Sequence, residues 1–284
     1  MANRVLVVGS RERAQAIATN CLDELVHRRE SDRAFTVFTG LFQGVPLSII
    51  NTGMGTPMVD FTLRETRAVV DGPMYMCRYG TSGIIAKDVP MPSILVSSKG
   101  AVFVRRNPDA FAEDAADQVP VPEPYTVSKV VLPSAKLSEA ILREMKDAMA
   151  GIEDGNVVEA LNVTADSFYS SQGRLDPKYD DRNQEIIDNV CKAHPDAASM
   201  EMESFHLFDL ARCNEELNTA AAVIGIAHRH TGAFLESSRR EVLEKKGGYA
   251  MLKALASMPV PNGMEGEECV WHEALQKYNA SKKE

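Results

Sequence analysis

The sequence predicts an α/β fold in which helices cover both faces of a central mixed sheet, a three-layer α/β/α sandwich. Three observations carry this expectation. Short β-branched runs alternate with segments of helical periodicity along most of the chain. The run Ala220 to Ile226 is apolar without interruption, the mark of a strand buried on both faces. Glycines follow several apolar runs, where an α/β sheet turns into a helix or gathers a ligand.

In order, Val5 to Val8 reads as a strand ending at Gly9, and Arg13 to Val26 as a helix with Ala14, Ile17, Ala18, Leu22 and Leu25 on one face. Phe35 to Leu41 and Val45 to Ile50 form a hairpin through Gln43-Gly44, and a helix follows from Pro57 to Val70. Strands are expected at Met74 to Tyr79, Ile94 to Ser97, Ala101 to Val104 and Val157 to Val163. Helices are expected at Leu137 to Met149, Asn183 to Ala193, Met202 to Ala211 and Arg239 to Ala256. The acidic, proline-bearing stretch Asp109 to Tyr125 and the tail from Pro259 lie outside this rhythm and read as surface excursions. Residues 1–258 are thus expected to form a single domain and 259–284 a C-terminal extension.

Composition bounds the function. The 284 residues are 44% apolar and 25% charged with a net charge of −9, which fits a globule with a substantial core and disfavours disorder or a nucleic-acid surface. No window approaches the roughly eighteen apolar residues of a membrane span, and Arg11, Glu12 and Arg13 interrupt the first apolar run, so neither a span nor a secretory leader is expected. The five cysteines are scattered with no CxxC pair, which points to a reducing cytoplasm and away from zinc or redox chemistry.

Five segments carry residue types suited to chemistry. In VVGSRER, Gly9 ends a strand before a helix bearing Arg13, so backbone N–H groups could meet an anion there, although such glycines also serve conformation alone. In MCRYGTSG, Arg78 leaves an apolar strand beside Thr81; it is either a second anion ligand or a structural arginine in an ion pair. In SMEMESF, Glu201 and Glu203 flank Met202 at a strand-to-helix junction, where carboxylates cap a helix or grip a polyol. In DSFYSSQGRLD, Gln172 both donates and accepts and Arg174 only donates, a pair able to read a base edge; the alternative is a solvated turn with Phe168 in the core. In AHRHTGAF, Arg229 reaches the same sheet edge as Arg78, and His228 and His230 lack a third metal ligand at a diagnostic spacing.

Taken in order over roughly residues 4–257, these segments resemble the uridine phosphorylase branch of the nucleoside phosphorylase family. The resemblance implies cleavage of a nucleoside by inorganic phosphate to free base and ribose 1-phosphate, with no metal or organic cofactor, in cytoplasmic pyrimidine salvage. It places phosphate on Gly9, Arg13, Arg78 and Thr81, with Arg33 supplied by a neighbouring subunit, so a homodimer or an assembly of dimers is implied. It places ribose on Met202 and Glu203, with Glu201 beside them, and uracil on Phe168, Gln172 and Arg174, supported by Arg229. The purine-selective branches resemble one another in an aspartate near the position of His228, which is absent from AHRHTG. A purine nucleoside phosphorylase or nucleosidase, and a catalytically silent nucleoside-binding homologue, are the competing expectations.

Overall fold

The computed structural model describes every residue except 154, 262–263, 265–268 and 282–284. Strand β1 (Arg4–Val8) is buried on both faces and runs into Gly9, and α1 (Arg11–Cys21) starts immediately, its N-cap Ser10 accepting from the Arg13 N–H at 3.2 Å. The helix was expected to reach Val26 and stops at Cys21. Leu22 is extended, and β2 (Glu24–Glu30) pairs antiparallel with β3 (Thr36–Phe42). Gly40 permits that pairing, since a Cβ there would lie 2.1 Å from the Glu24 carbonyl oxygen. The result is a charged, exposed edge strand, a composition that discourages further strand addition.

The hairpin is as expected: β3 turns into β4 (Val45–Asn51) with Gln43 at φ 52 and Gly44 at φ 77, the left-handed pair a tight two-residue turn requires. Next come α2 (Thr56–Arg67), with Pro57 in its first turn, β5 (Met74–Ile84), β6 (Ser93–Val96), β7 (Ala101–Arg106) and β8 (Tyr125–Val127). After α3 (Ala135–Met149), the single strand expected at Val157 to Val163 is two, β9 (Asn156–Glu159) and β10 (Leu161–Ala165). They separate because they serve different neighbours, β9 pairing with β6 and β10 with β7 and β11 (Ala197–Glu201). The remaining elements are α4 (Ile186–Ala193), α5 (Ser204–Ala211), β12 (Leu217–His228), α6 (Ser237–Ala256) and α7 (His272–Ser281).

The strands form a mixed twelve-stranded sheet ordered β2-β3-β4-β1-β5-β11-β10-β7-β8, with β12 joining β5 to β6. The apolar run Ala220 to Ile226 lies in β12, which pairs parallel with β5 on one side and antiparallel with β6 on the other. Helices α1, α3 and α6 bury one face against Leu6, Tyr79 and Ala222, and α2 and α5 cover the other against Val7, Met76 and Ala221. Consecutive residues of β1, β5 and β12 therefore pack into opposite layers, which is why these strands read as continuous apolar runs.

The tail lies on the surface but is docked. Trp271 and Ala274 are buried with Ala2 and Leu41, and Tyr278 packs over Gly44 while donating to Asp23 at 3.3 Å. Burying one large aromatic side chain contributes about 1.5–3 kcal/mol. Trp271→Ala is accordingly expected to release α7, seen as protease cleavage after residue 258 with only a small change in the melting of the rest; an equally protected tail would contradict this.

Candidate active site

The carboxyl ends of β1, β5 and β12, together with the β11–α5 junction, surround a cavity of about 350 Å³. Gly9, Arg13, Arg78, Thr81, Phe168, Gln172, Arg174, Glu201, Met202 and Glu203 all line it. Register explains part of this convergence, since Val7 pairs with Arg78 and Val8 with Tyr79, bringing the Gly9 turn beside the Arg78 side chain. A Cβ on Gly9 would lie 4.0 Å from Arg78 Nη2, and one on Gly80 only 3.0 Å from it.

Arg78 is 4% exposed and meets carboxylates on one side only. Nη2 donates to Glu203 Oε2 at 2.5 Å and Nε to Glu201 Oε2 at 3.3 Å, while Nη1 is buried with no partner. Arg13 is similar: Nη2 donates to Glu244 Oε1 at 2.8 Å, and Nε is buried and unpartnered. A buried cation with an unsatisfied donor is costly. Both arginines line one wall of the cavity beside the N-terminus of α1, and two guanidinium groups so placed form a site suited to an oxyanion.

The two carboxylates of SMEMESF differ in their surroundings. Glu201 accepts from Thr164 Oγ1 at 2.8 Å, from the Glu203 and Ser204 N–H groups at 3.1 Å, and from Arg78; it holds the start of α5 and the arginine together. Glu203 accepts from the Gly55 N–H at 2.6 Å and from Arg78, and it faces the cavity. Burial pushes its carboxyl up to about 7 from an ordinary 4.5, against the pull of Arg78, with Glu201 adding to the rise. A raised carboxyl stabilises the fold below about 4.5, and that contribution is lost as the pH rises to about 7. Glu203→Gln is therefore expected to flatten the dependence of Tm on pH across this interval; an unchanged slope would refute the assignment.

The loop 166–174 forms the opposite wall. Phe168 is 42% exposed and lies under the Arg174 guanidinium, 4.2 Å from its ring centroid, so it is a wall of the cavity and not a core residue. Arg174 Nε donates to the Phe168 carbonyl at 3.0 Å. Arg229 stands behind the loop, Nη2 donating to the Gln172 carbonyl at 2.9 Å and Nη1 buried without a partner. Among the described residues neither Arg174 nor Arg229 has a carboxylate partner. Burial, with the neighbouring Arg174 charge, lowers Arg229 to about 10, and burial also lowers Arg174.

Arg33 is outside this cavity, exposed, paired with Glu65 at 3.3 Å and held over the Phe61 ring. His228 and His230 have structural partners, the Thr231 N–H and the Ile85 carbonyl, and among the described residues no cluster of potential metal ligands occurs. Sequence reasoning did not single out Ser10, Gly55, Glu244 or Asn183. Gly53 and Gly55, both at positive φ just before Pro57, were the available signal for the first helix-start donor. No helix among the described residues is long and apolar enough to cross a membrane.

A model of the phosphorylase superfamily matches residues 3–250. A solved structure from a study of two uridine phosphorylases of the oomycete Phytophthora capsici is 43% identical, with a TM-score of 0.85 and 92% of each chain covered. A Trypanosoma brucei nucleoside phosphorylase, described as showing uridine phosphorylase activity, shares the fold at 17% identity, with a TM-score of 0.73 over 91% of this chain and 94% of that one. A DeoD-type purine nucleoside phosphorylase of Listeria monocytogenes is 26% identical over 243 residues, 85% of this chain and 88% of that protein. With the superfamily match spanning most of its length and a 43%-identical solved structure superposing over 92% of each chain, the chain belongs to the nucleoside phosphorylase family.

Proposed function

We propose that the protein cleaves uridine with inorganic phosphate, giving uracil and ribose 1-phosphate, without metal or organic cofactor. The observation that carries this reading is the placement of the Arg13 and Arg78 guanidinium groups on one wall of a cavity whose other wall presents Gln172 and Arg174. Phosphate binds between Gly9, Arg13, Arg78 and Thr81, with Arg33 of a second copy completing the shell. Glu203 accepts the ribose hydroxyls beside Met202, and Glu201 holds Arg78 in place.

The chemistry follows from charge. As the glycosidic bond lengthens, the sugar gains oxocarbenium character and the departing base gains negative charge. Phosphate on the first wall faces the cationic sugar, and Arg174 and Gln172 on the second bind the base more tightly as its charge grows, the differential binding that accelerates a reaction. Arg229 adds a cation behind the loop. The rise of Glu203 to about 7 sets an acid limb: kcat/KM for uridine is expected to fall as the pH drops below about 7, because a protonated carboxyl loses acceptor capacity toward the sugar. A profile flat from pH 5 to 8 would contradict the role.

Cleavage of purine nucleosides is the second reading, favoured by the Listeria relative. The only acids lining the cavity among the described residues are Glu201 and Glu203, both on the Arg78 side, so no carboxyl stands at the base end to protonate a purine. Following uridine and inosine separately, with and without phosphate, decides between the readings. Phosphate-dependent uracil release supports the first; preferential inosine cleavage overturns it.

A further inference from the structure

The excursion between β7 and β8 is fastened to the chain just behind the loop 166–174. Phe111 lies between two guanidinium groups, Arg106 at 3.6 Å and Arg182 at 4.2 Å from its ring centroid. Arg182 Nη2 donates to the Ala110 carbonyl at 2.7 Å, and Tyr125 Oη donates to the Asp181 carbonyl at 2.7 Å. Arg182 has φ 46, a left-handed conformation that a residue with a side chain keeps only where its surroundings fix it.

The next residue, Asn183, is 3% exposed, and its amide donates to the Ser170 carbonyl at 3.0 Å and the Arg174 carbonyl at 3.1 Å. Arg229 takes the Gln172 and Gly173 carbonyls. These donors take up the backbone oxygens of 170 and 172–174 from behind, fixing the segment that carries the Gln172 and Arg174 side chains. A second tie runs from the Arg106 N–H to Asp166 Oδ2 at 2.9 Å, with Ser171 Oγ donating to the other oxygen of that carboxylate.

We infer that Phe111 is a positioning residue for the base: clamped between Arg106 and Arg182, it fixes Asn183 and thereby the orientation of Gln172 and Arg174. This rests on the proposed reading of that loop as the base site. Among the described residues the guanidinium and ring partners of Phe111 are Arg106, Arg182 and Tyr125, none of which lines the cavity, and the proposed phosphate wall is built on other strands, so its effect falls on the nucleoside alone.

The test compares Phe111→Ala, Phe111→Leu and Phe111→Tyr with the native chain by steady-state kinetics and by hydrogen exchange of amides 170–174 without ligand. In the Ala and Leu variants KM for uridine is expected to rise about tenfold or more with KM for phosphate unchanged, and loop amides to exchange faster. Tyr, which retains the aromatic face, is expected to restore both. Unchanged loop exchange in the Ala variant, native behaviour of the Leu variant, or an equal rise in both KM values would overturn the inference. If the native chain leaves uridine intact, the proposed activity fails, while the exchange comparison still decides whether Phe111 braces the loop.

Discussion

Arg174→Ala is expected to lower kcat/KM for uridine by about 10²–10³, the loss typical when a preorganised donor to a developing anion is removed. That corresponds to about 2.7–4 kcal/mol of transition-state stabilisation. The size follows from the surroundings of Arg174: it is partly desolvated, stacked on Phe168, without a carboxylate partner, and beside a second cation, Arg229. A cation held there in the resting protein is relieved when the base acquires charge, so the benefit falls late in the reaction and appears mainly in kcat. KM for phosphate is expected to stay within about twofold, since Arg13 and Arg78 are untouched. Equal activity of the variant and the native chain would remove the base-reading role.

Arg78→Met is expected to abolish phosphorolysis and to destabilise the protein by about 3–5 kcal/mol at pH 8, because Glu201 and Glu203 would remain buried with their shared cation gone. The loss should shrink at pH 5, where protonation neutralises carboxyls that have lost their counter-charge. Arg78→Lys separates the two consequences. One ammonium supplies charge and recovers much of the stability, yet it cannot serve both carboxylates and still point a donor at an anion, so activity stays low. Thermal melts at both pH values, together with phosphate-dependent uracil release, check this; a stable, active Lys variant would show that the fork geometry is dispensable.

Most of the layer architecture was legible in the sequence because burial on both faces leaves an unmistakable trace, as in Val5 to Val8 and Ala220 to Ile226. The errors fall where local pattern is neutral and a distant partner decides. Leu22 and Leu25 fit a helix as well as a strand, and the pairing of β2 with β3 across Gly40 settled the matter. The break at Ala160 is invisible locally because it reflects two neighbours and not a turn residue. The charged side chains lining the cavity stand out by type and order, but Glu244 and Asn183 do not. Each acts on a partner far away in sequence or through backbone carbonyls, and nothing in its own neighbourhood announces that.

Strand β5 pairs with β1, β12 and β11 at once, and Arg78 sits in its middle. Small openings that free a loop cannot release this guanidinium, because detaching it means dismantling the centre of the sheet. Backbone amides around Arg78 should therefore be among the last to exchange, at a rate set by whole-molecule unfolding. Partial fluctuations would then disturb the proposed base-binding loop well before they reach the arginine proposed to hold phosphate.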